Sequence, residues 1–192
     1  MTVRSMNEMV TQINTLLANN TTQLITPASV RSVLTDFVDS LRPGYGGLNL
    51  VTSSVNVPTT PPLTLKPFTS ITTATAGVYS ASAANGQIQR LIGTAGLQGA
   101  TDFIIVSGAV AGPNNDVVSI ELFKNGVATG YRASVTCQGN AQPMNFGFSA
   151  ITYTAGPGDA LFELRVNGNV AGNKDFTNVV FISQTQPVNS YT

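Results

Sequence analysis

Side chains that commonly carry out covalent chemistry are scarce in this sequence. The chain has 192 residues, with no histidine and a single cysteine, Cys137. Without histidine, Ser-His-Asp and Cys-His catalytic arrangements and imidazole metal sites are excluded. Cys137 lies in the strand-like run 133–137, where a cysteine usually serves as a small core residue, and one cysteine allows no intrachain disulfide. We therefore expect neither a nucleophilic enzyme nor a thiol-rich metal site.

The acidic residues are the remaining candidates for acid–base catalysis. Two carboxylates flanking a sugar could hydrolyse a glycosidic bond, and the candidates are Asp102, Asp116, Glu121, Asp159, Glu163 and Asp175. Glu121 and Glu163 fall on predicted outer strand faces, while Asp116 and Asp159 follow Asn or Gly in turns, so solvated faces and turn chemistry account for them. The sequence therefore predicts a protein that is not an enzyme.

Signals for cofactors, metals and nucleic acid are equally weak. Asp36 and Asp39 could contact calcium, but beside Arg31 and Arg42 they more simply form the solvated face of a helix. Residues 93–99 lack the spacing and the lysine of a phosphate-binding loop. The nine basic residues are scattered along the chain, whereas phosphate binding needs clustered cations. We expect no cofactor, no metal and no nucleic-acid partner.

Tyrosine is the residue type best suited to contact a saccharide here, since it combines a flat apolar ring with a hydroxyl. Tyr131 and Tyr153 lie in or beside Gly/Thr-rich turns and strands, which makes them the candidate glycan contacts. Packing inside a sandwich or across a subunit interface is the alternative and the favoured explanation of both.

The composition is that of a folded protein with an unusually uncharged surface. Charged residues make up 9% of the chain, against about 25% in an ordinary soluble domain. A hydrophobic content of 42% excludes simple disorder. No window approaches the ~18 apolar residues of a membrane span, and the N-terminus lacks the apolar run of a signal peptide. We expect a protein made in the cytoplasm, without membrane insertion, that hides part of its surface or displays uncharged polar groups.

From Phe68 onward the apolar residues recur with a period of two. The runs 103–108, 118–123 and 161–166 alternate in this way, which is typical of half-buried antiparallel strands. Asn125-Gly126 and Asn167-Gly168 are hairpin-turn signals, because both central residues of a type I′ turn need positive φ. The pattern predicts eight to ten strands in an antiparallel β-sandwich or jelly roll over 68–192. Residues 85–98 fit either a strand or a helical turn.

The first 42 residues show a different pattern, that of two short capped helices. Ser5 to Glu8 forms a capping box, and Thr26-Pro27 places an N-cap residue before a proline at the first helical position. Such short helices are marginal alone, so their apolar stripe needs cover from another chain or a symmetric copy. The predicted docking and oligomerising residues are Met9, Ile13, Leu16, Val30, Leu34 and Phe37. Residues 43–67, with five of the ten prolines, are expected to be a linker or extended edge segment, with a short strand at 48–51.

Both parts of the chain resemble pieces of viral structural proteins. The helical part resembles a short N-terminal module of bacteriophage head fibres, decoration proteins and tail fibres, through Ile13-Asn14, Asn19 to Thr22, Leu24 to Arg31 and Val33 to Leu41. Residues 176–183 resemble the closing strand of the trimeric jelly-roll or TNF-like knobs of viral fibres.

This resemblance implies a homotrimer whose module 1–42 docks on phage capsid or tail proteins, with the β-domain facing outward and the protein located on the virion. A capsid decoration protein or short head fibre is the first expectation, because tail fibres usually need a long shaft. A short tail fibre or baseplate protein that recognises a host glycan or outer-membrane protein is the alternative. A fibre tip with glycan hydrolase activity and a bacterial adhesin are two further possibilities.

Overall fold

The computed structural model describes residues 11–13, 15, 30, 31, 34, 44–76, 78–91, 99–155 and 159–187. The seven described residues before position 44 are all helical. Three of the predicted docking residues, Met9, Leu16 and Phe37, lie outside the described residues. The two-helix arrangement therefore stays a prediction.

The described part from Gly44 onward is almost entirely β-strand. Its strands are β1 (Gly44–Val57), β2 (Leu63–Thr64), β3 (Ser70–Ala74), β4 (Tyr79–Ser82), β5 (Gln87–Arg90), β6 (Gly99–Gly112), β7 (Val117–Lys124), β8 (Val127–Thr136), β9 (Gly139–Ala155), β10 (Ala160–Gly168) and β11 (Gly172–Pro187). Nine of them, β3 to β11, follow residue 68, within the eight to ten predicted. In the uncertain segment, Gln87–Arg90 is a strand, and 92–98 lie outside the described residues.

The strands form two antiparallel sheets with the connectivity of a jelly roll. One sheet has the order β3-β1-β11-β6-β9 and the other β4-β5-β10-β7-β8, with β2 pairing to β10. Leaving out the short strands β2, β3 and β4, the first strand pairs with the eighth (β1–β11), the second with the seventh (β5–β10), the third with the sixth (β6–β9) and the fourth with the fifth (β7–β8). That nesting is a long hairpin folded over on itself, so the predicted jelly-roll β-sandwich is confirmed.

The core lies between the two sheets and follows the alternation in the sequence. In β6 the inward side chains include Ile104, Val106 and Val110, and in β10 they include Phe162 and Leu164, all buried. Full burial of such a side chain contributes about 1.5–3 kcal/mol. The apolar alternation is therefore what holds the sheets together and sets which residues point outward.

The segment 43–67 corrects the sequence prediction of a linker. Gly44–Val57 is one long strand that pairs with β11 along its whole length, and Leu48 and Leu50 are fully buried. The reason is visible in the sequence: the prolines stand at position 43 and from Pro58 onward, so 44–57 keeps every backbone donor that a central pairing needs.

The two Asn-Gly signals have different outcomes. Asn125 and Gly126 both have positive φ, and the flanking Lys124 and Val127 pair across the turn, so the hairpin prediction is confirmed there. Gly168 instead continues β10 and pairs with Val118, so the predicted turn at Asn167-Gly168 is wrong. A Cβ on Gly168 would meet a carboxylate oxygen of Asp116 at 3.2 Å, so close packing explains that glycine.

Candidate functional site

A buried ion pair between Arg90 and Asp102 lies inside one end of the sandwich. Arg90 Nε is 2.7 Å from Asp102 Oδ1, and the two side chains are 1% and 0% exposed. Arg90 Nη2 donates to Thr154 Oγ1 at 2.7 Å. The Tyr79 hydroxyl is hydrogen-bonded to Ser183 Oγ at 2.8 Å. We call these five residues the Arg90 cluster.

The electrostatics of this cluster are dominated by burial. Burial raises the pKa of the Asp102 carboxyl, and the nearby Arg90 guanidinium only partly offsets it. Burial likewise raises the pKa of Tyr79. Lys124, which donates to Thr154 Oγ1 at 2.6 Å, has its pKa lowered by burial, with Asp102 opposing the shift. The cluster lies inside the sandwich and its charged groups contact one another, so its geometry is that of a structural network.

A second buried ion pair joins Lys174 to Asp116 in the Cys137 region of the sandwich. Lys174 Nζ is 2.6 Å from Asp116 Oδ2, and both side chains are 0% exposed. The backbone N–H of Val170 donates to Asp116 Oδ1 at 3.1 Å, and Lys174 Nζ donates to the Val170 carbonyl at 3.1 Å. Cys137 is fully buried nearby, and burial raises the pKa of its thiol. This environment suits a core cysteine, as predicted from its strand-like run.

The carboxylates correct the expectation that turns and solvated faces explain them all. Asp102 and Asp116 are fully buried and Glu163 is 5% exposed. Asp102 is in phase with Ile104 in β6, and this signal for an inward position was present in the sequence. Glu163 is on the outer face of β10, but the Arg165 guanidinium pairs with it and covers it.

A polar groove lies on the outer face of the second sheet, the one containing β7, β8 and β10. Its volume is about 550 Å³, and it is lined by Thr59, Pro62, Val117, Ser119, Glu121, Arg132, Ser134, Asn167, Gly168 and Asn169. These residues come from three adjacent strands, from loop residues 58–62 and from Asn169 in the loop after β10. We call this set the polar groove.

Strand register places the polar side chains of the groove in two rows. Ser119 of β7 lies between Ser134 of β8 and Asn167 of β10. One step along, Glu121 pairs in register with Arg132. No single stretch of sequence carries this set, and only the pairing of three strands brings it together.

The two tyrosines predicted as glycan contacts lie elsewhere. The Tyr131 hydroxyl donates to the backbone carbonyl of Ile151 at 3.2 Å, which links β8 to β9. Tyr153 is 58% exposed on the outer face of the first sheet. Neither lines the polar groove, so they do not form one site with it.

The outer face of the first sheet, the one containing β1, β6, β9 and β11, carries an apolar patch. Its outward side chains include Ile105 and Ile151, each 57% exposed, together with the half-buried Phe103, Val180 and Ile182. Register sets Phe103 opposite Ile151 and Ile105 opposite Ile182. We call these five residues the isoleucine face.

Three of the predicted docking residues fall within the described part of the chain. Ile13, Val30 and Leu34 are helical and are 38%, 45% and 58% exposed. Their apolar side chains therefore remain partly uncovered in a single copy of the chain.

The described residues contain neither a metal-binding cluster nor a membrane-spanning helix. Within them, no group of three or more Cys, Asp or Glu side chains is placed to hold a metal ion. No helix in that part of the chain is long and apolar enough to cross a membrane.

Comparison with known proteins adds little to this description of an antiparallel jelly-roll β-sandwich. No protein-family model matches the chain, and no curated protein matches it. Among solved structures, murine APRIL at pH 5.0 is similar at 6% identity and a TM-score of 0.44, covering 76% of this chain and all of that one. The globular domain of a zebrafish complement 1qA protein is similar at 8% identity and a TM-score of 0.41, covering 77% and 99%. Similarity at this level carries no argument about function.

Proposed function

We propose that this chain is a non-enzymatic structural protein of a bacteriophage particle. In this proposal it forms a homotrimer attached to the capsid exterior, as a decoration protein or short head fibre. The module 1–42 docks on the particle, and the jelly roll faces outward. The observation that carries the self-assembly is the isoleucine face.

Charge supports the choice of this face as the contact between copies. The five strands of the first sheet carry three charged residues, Asp102, Lys174 and Asp175, and the first two are fully buried in the core. Asp175 alone among them points outward. Interface cores are depleted of charge and enriched in large apolar residues, so this face suits a second copy of the chain better than it suits water.

The size of the effect follows from the exposed areas. Ile105 and Ile151 are each 57% exposed, so covering one of them contributes about 1 kcal/mol, roughly half the value for a fully buried isoleucine. Three copies would cover six such side chains, together with the half-buried residues around them. This gain favours association of the copies. A closed, symmetric oligomer covers the isoleucine face on every copy.

The helical residues support the docking role. Short helices gain most of their stability from a covered apolar stripe, and Ile13, Val30 and Leu34 are uncovered in one copy. The resemblance of residues 13–41 to the N-terminal module of phage virion proteins supplies the partner: a capsid protein, with other copies of the same segment.

The test of self-assembly uses charge reversal of the apolar surface. Light scattering coupled to size exclusion should give a trimer for the full chain and a monomer for Ile105→Asp, Ile151→Asp. Val127→Asp is the matched control, because Val127 is 69% exposed on β8 of the other sheet. A double variant that remains trimeric, or a wild-type chain that is monomeric, would contradict the proposal.

The alternative proposal is a short tail fibre or baseplate protein that binds a host glycan or outer-membrane protein. The polar groove favours it, because the groove is on the sheet opposite the isoleucine face and stays open in such a trimer. Counting copies per particle separates the two. Hundreds of copies over the shell support the capsid position, and a few trimers at one vertex support the tail.

A further inference from the structure

We propose that the polar groove binds a neutral saccharide unit of a longer glycan chain. It goes beyond the proposed structural role and deepens the alternative proposal, on whose glycan binding it rests, by naming the ligand class that the groove would take. The proposal is based on one arrangement of side chains. A row of hydroxyl and amide groups lies beside one carboxylate and one guanidinium, and all of them line one concave surface.

Much of the polar capacity of the groove is unused by the protein. Within the described residues, Arg132 makes no ion pair or hydrogen bond, and the hydroxyls of Thr59, Ser119 and Ser134 have no side-chain or backbone partner. Glu121 accepts one long hydrogen bond, from the Gly130 N–H at 3.3 Å to Oε1. These donors and acceptors are available to sugar hydroxyls.

The charge of the groove favours a neutral ligand. Its lining has one carboxylate, Glu121, and one guanidinium, Arg132. The neighbouring Arg165 adds no free charge, because it pairs with Glu163 and stacks over the Phe123 ring at 4.3 Å. The Glu121 carboxylate repels an acidic sugar and the Arg132 guanidinium attracts it, so the two charges offset each other. On a neutral sugar, the carboxylate accepts hydrogen bonds from a pair of neighbouring hydroxyls.

The shape of the groove also suits a sugar ring. Its floor is β7, held on both sides by β8 and β10, so the backbone positions of the polar rows are fixed before binding. Pro62 and Val117 provide apolar contacts for the C–H face of a ring. The groove is an open channel without an aromatic platform, which fits one unit within a chain bound weakly, with three copies adding avidity.

Saturation-transfer difference NMR on the full chain tests this with maltose, lactose and mannobiose, and with glucuronate as the charged comparator. We expect a transfer signal from at least one of the three neutral disaccharides and a weaker signal from glucuronate. Arg132→Gln and Ser134→Val should each weaken the binding by about fivefold, the equivalent of one hydrogen bond. Both positions are exposed on β8, so the fold should tolerate the changes.

Lys66→Gln is the control, since Lys66 is exposed and outside the groove; it should bind as the wild type does. The proposal is overturned by the absence of signal from all three disaccharides, by unchanged binding in both groove variants, or by glucuronate binding as well as the neutral sugars do. Circular dichroism of each variant confirms that a loss of signal is not a loss of fold.

Discussion

Replacing Lys174 by methionine should destabilise the sandwich strongly. Lys174 Nζ is 2.6 Å from Asp116 Oδ2 and both side chains are fully buried. Methionine keeps much of the apolar stem of lysine but leaves the Asp116 carboxylate inside the protein, where the Val170 N–H still donates to it. Breaking a buried pair from one side costs about 3–5 kcal/mol, because the remaining charge is desolvated without a partner.

Removing both charges should restore most of that loss. In the double variant Asp116→Leu, Lys174→Met no charge remains buried, and leucine has the same branched skeleton as aspartate, with larger methyl groups in place of the two oxygens. Exchanges of this kind are often neutral or stabilising by about 1–4 kcal/mol. One unpaired N–H, at Val170, offsets part of that gain by about 1–3 kcal/mol. We therefore expect the double variant to lie within about 2 kcal/mol of the wild type.

Urea denaturation followed by circular dichroism at neutral pH and fixed protein concentration gives the three free energies of unfolding. The coupling energy is the difference between the double variant and the sum of the single ones. The reasoning is refuted if Lys174→Met loses less than about 1 kcal/mol, or if the double variant is as unstable as the single one. The first result would mean that the carboxylate is solvated, and the second that the lysine acts mainly by packing.

Three further predictions concern other parts of the chain. Burial raises the pKa of Asp102 above its usual 3.8, so its contribution to stability is complete below that value and is lost as the pH rises through the folded pKa. The advantage of the wild type over Asp102→Asn, measured by urea unfolding from about pH 3 to 7, should therefore shrink as the pH rises. Gly86→Ala should destabilise by at least about 2 kcal/mol more than Gly126→Ala, measured by chemical denaturation, because both glycines have positive φ but a Cβ at Gly86 would also overlap a backbone carbonyl. Ile13→Asp, Leu34→Asp should leave the β-domain folded by circular dichroism but fail to join the particle in an incorporation assay.

Each of these has a result that contradicts it. A wild-type advantage that grows with pH would mean that Arg90 outweighs burial at Asp102. Equal losses at Gly86 and Gly126 would show that the carbonyl moves aside without cost. Full incorporation of the Ile13→Asp, Leu34→Asp variant would place the anchor outside the helical module.

Local rules in the sequence were sufficient for the class of fold. The alternation in 103–108 and the turn at Asn125-Gly126 are decided by neighbouring residues, so the strands and the confirmed hairpin could be predicted. Only 48–51 of the strand Gly44–Val57 was predicted, because the prolines on either side made the rest of the segment look like a linker or an extended edge. Within the strand itself, Leu48 and Leu50 alternate with Asn49 and Val51 in the usual way.

The candidate sites depend on pairing between distant strands, which no local pattern reports. Asp116 and Lys174 are 58 positions apart in sequence, and their ion pair exists because the start of β11 in one sheet lies against the start of β7 in the other. The polar groove is likewise built from β7, β8 and β10. Only the inward position of Asp102 could have been predicted from the sequence. An aspartate in a row of buried residues itself indicates that another group in the core pairs with it.

The low charge of the chain is distributed unequally between the two sheets, and this distribution connects fold to proposed assembly. Among the strand residues that are not buried, the second sheet carries four charged ones, Glu121, Lys124, Arg132 and Arg165, whereas the first carries only Asp175. Uniform loss of charge would make both faces prone to association. Confining the loss to one face permits contact there, and the charges on the other sheet oppose stacking of further copies. A closed oligomer with its charged sheet outward is the arrangement that satisfies both faces, and it is also the arrangement that leaves the polar groove open to a ligand.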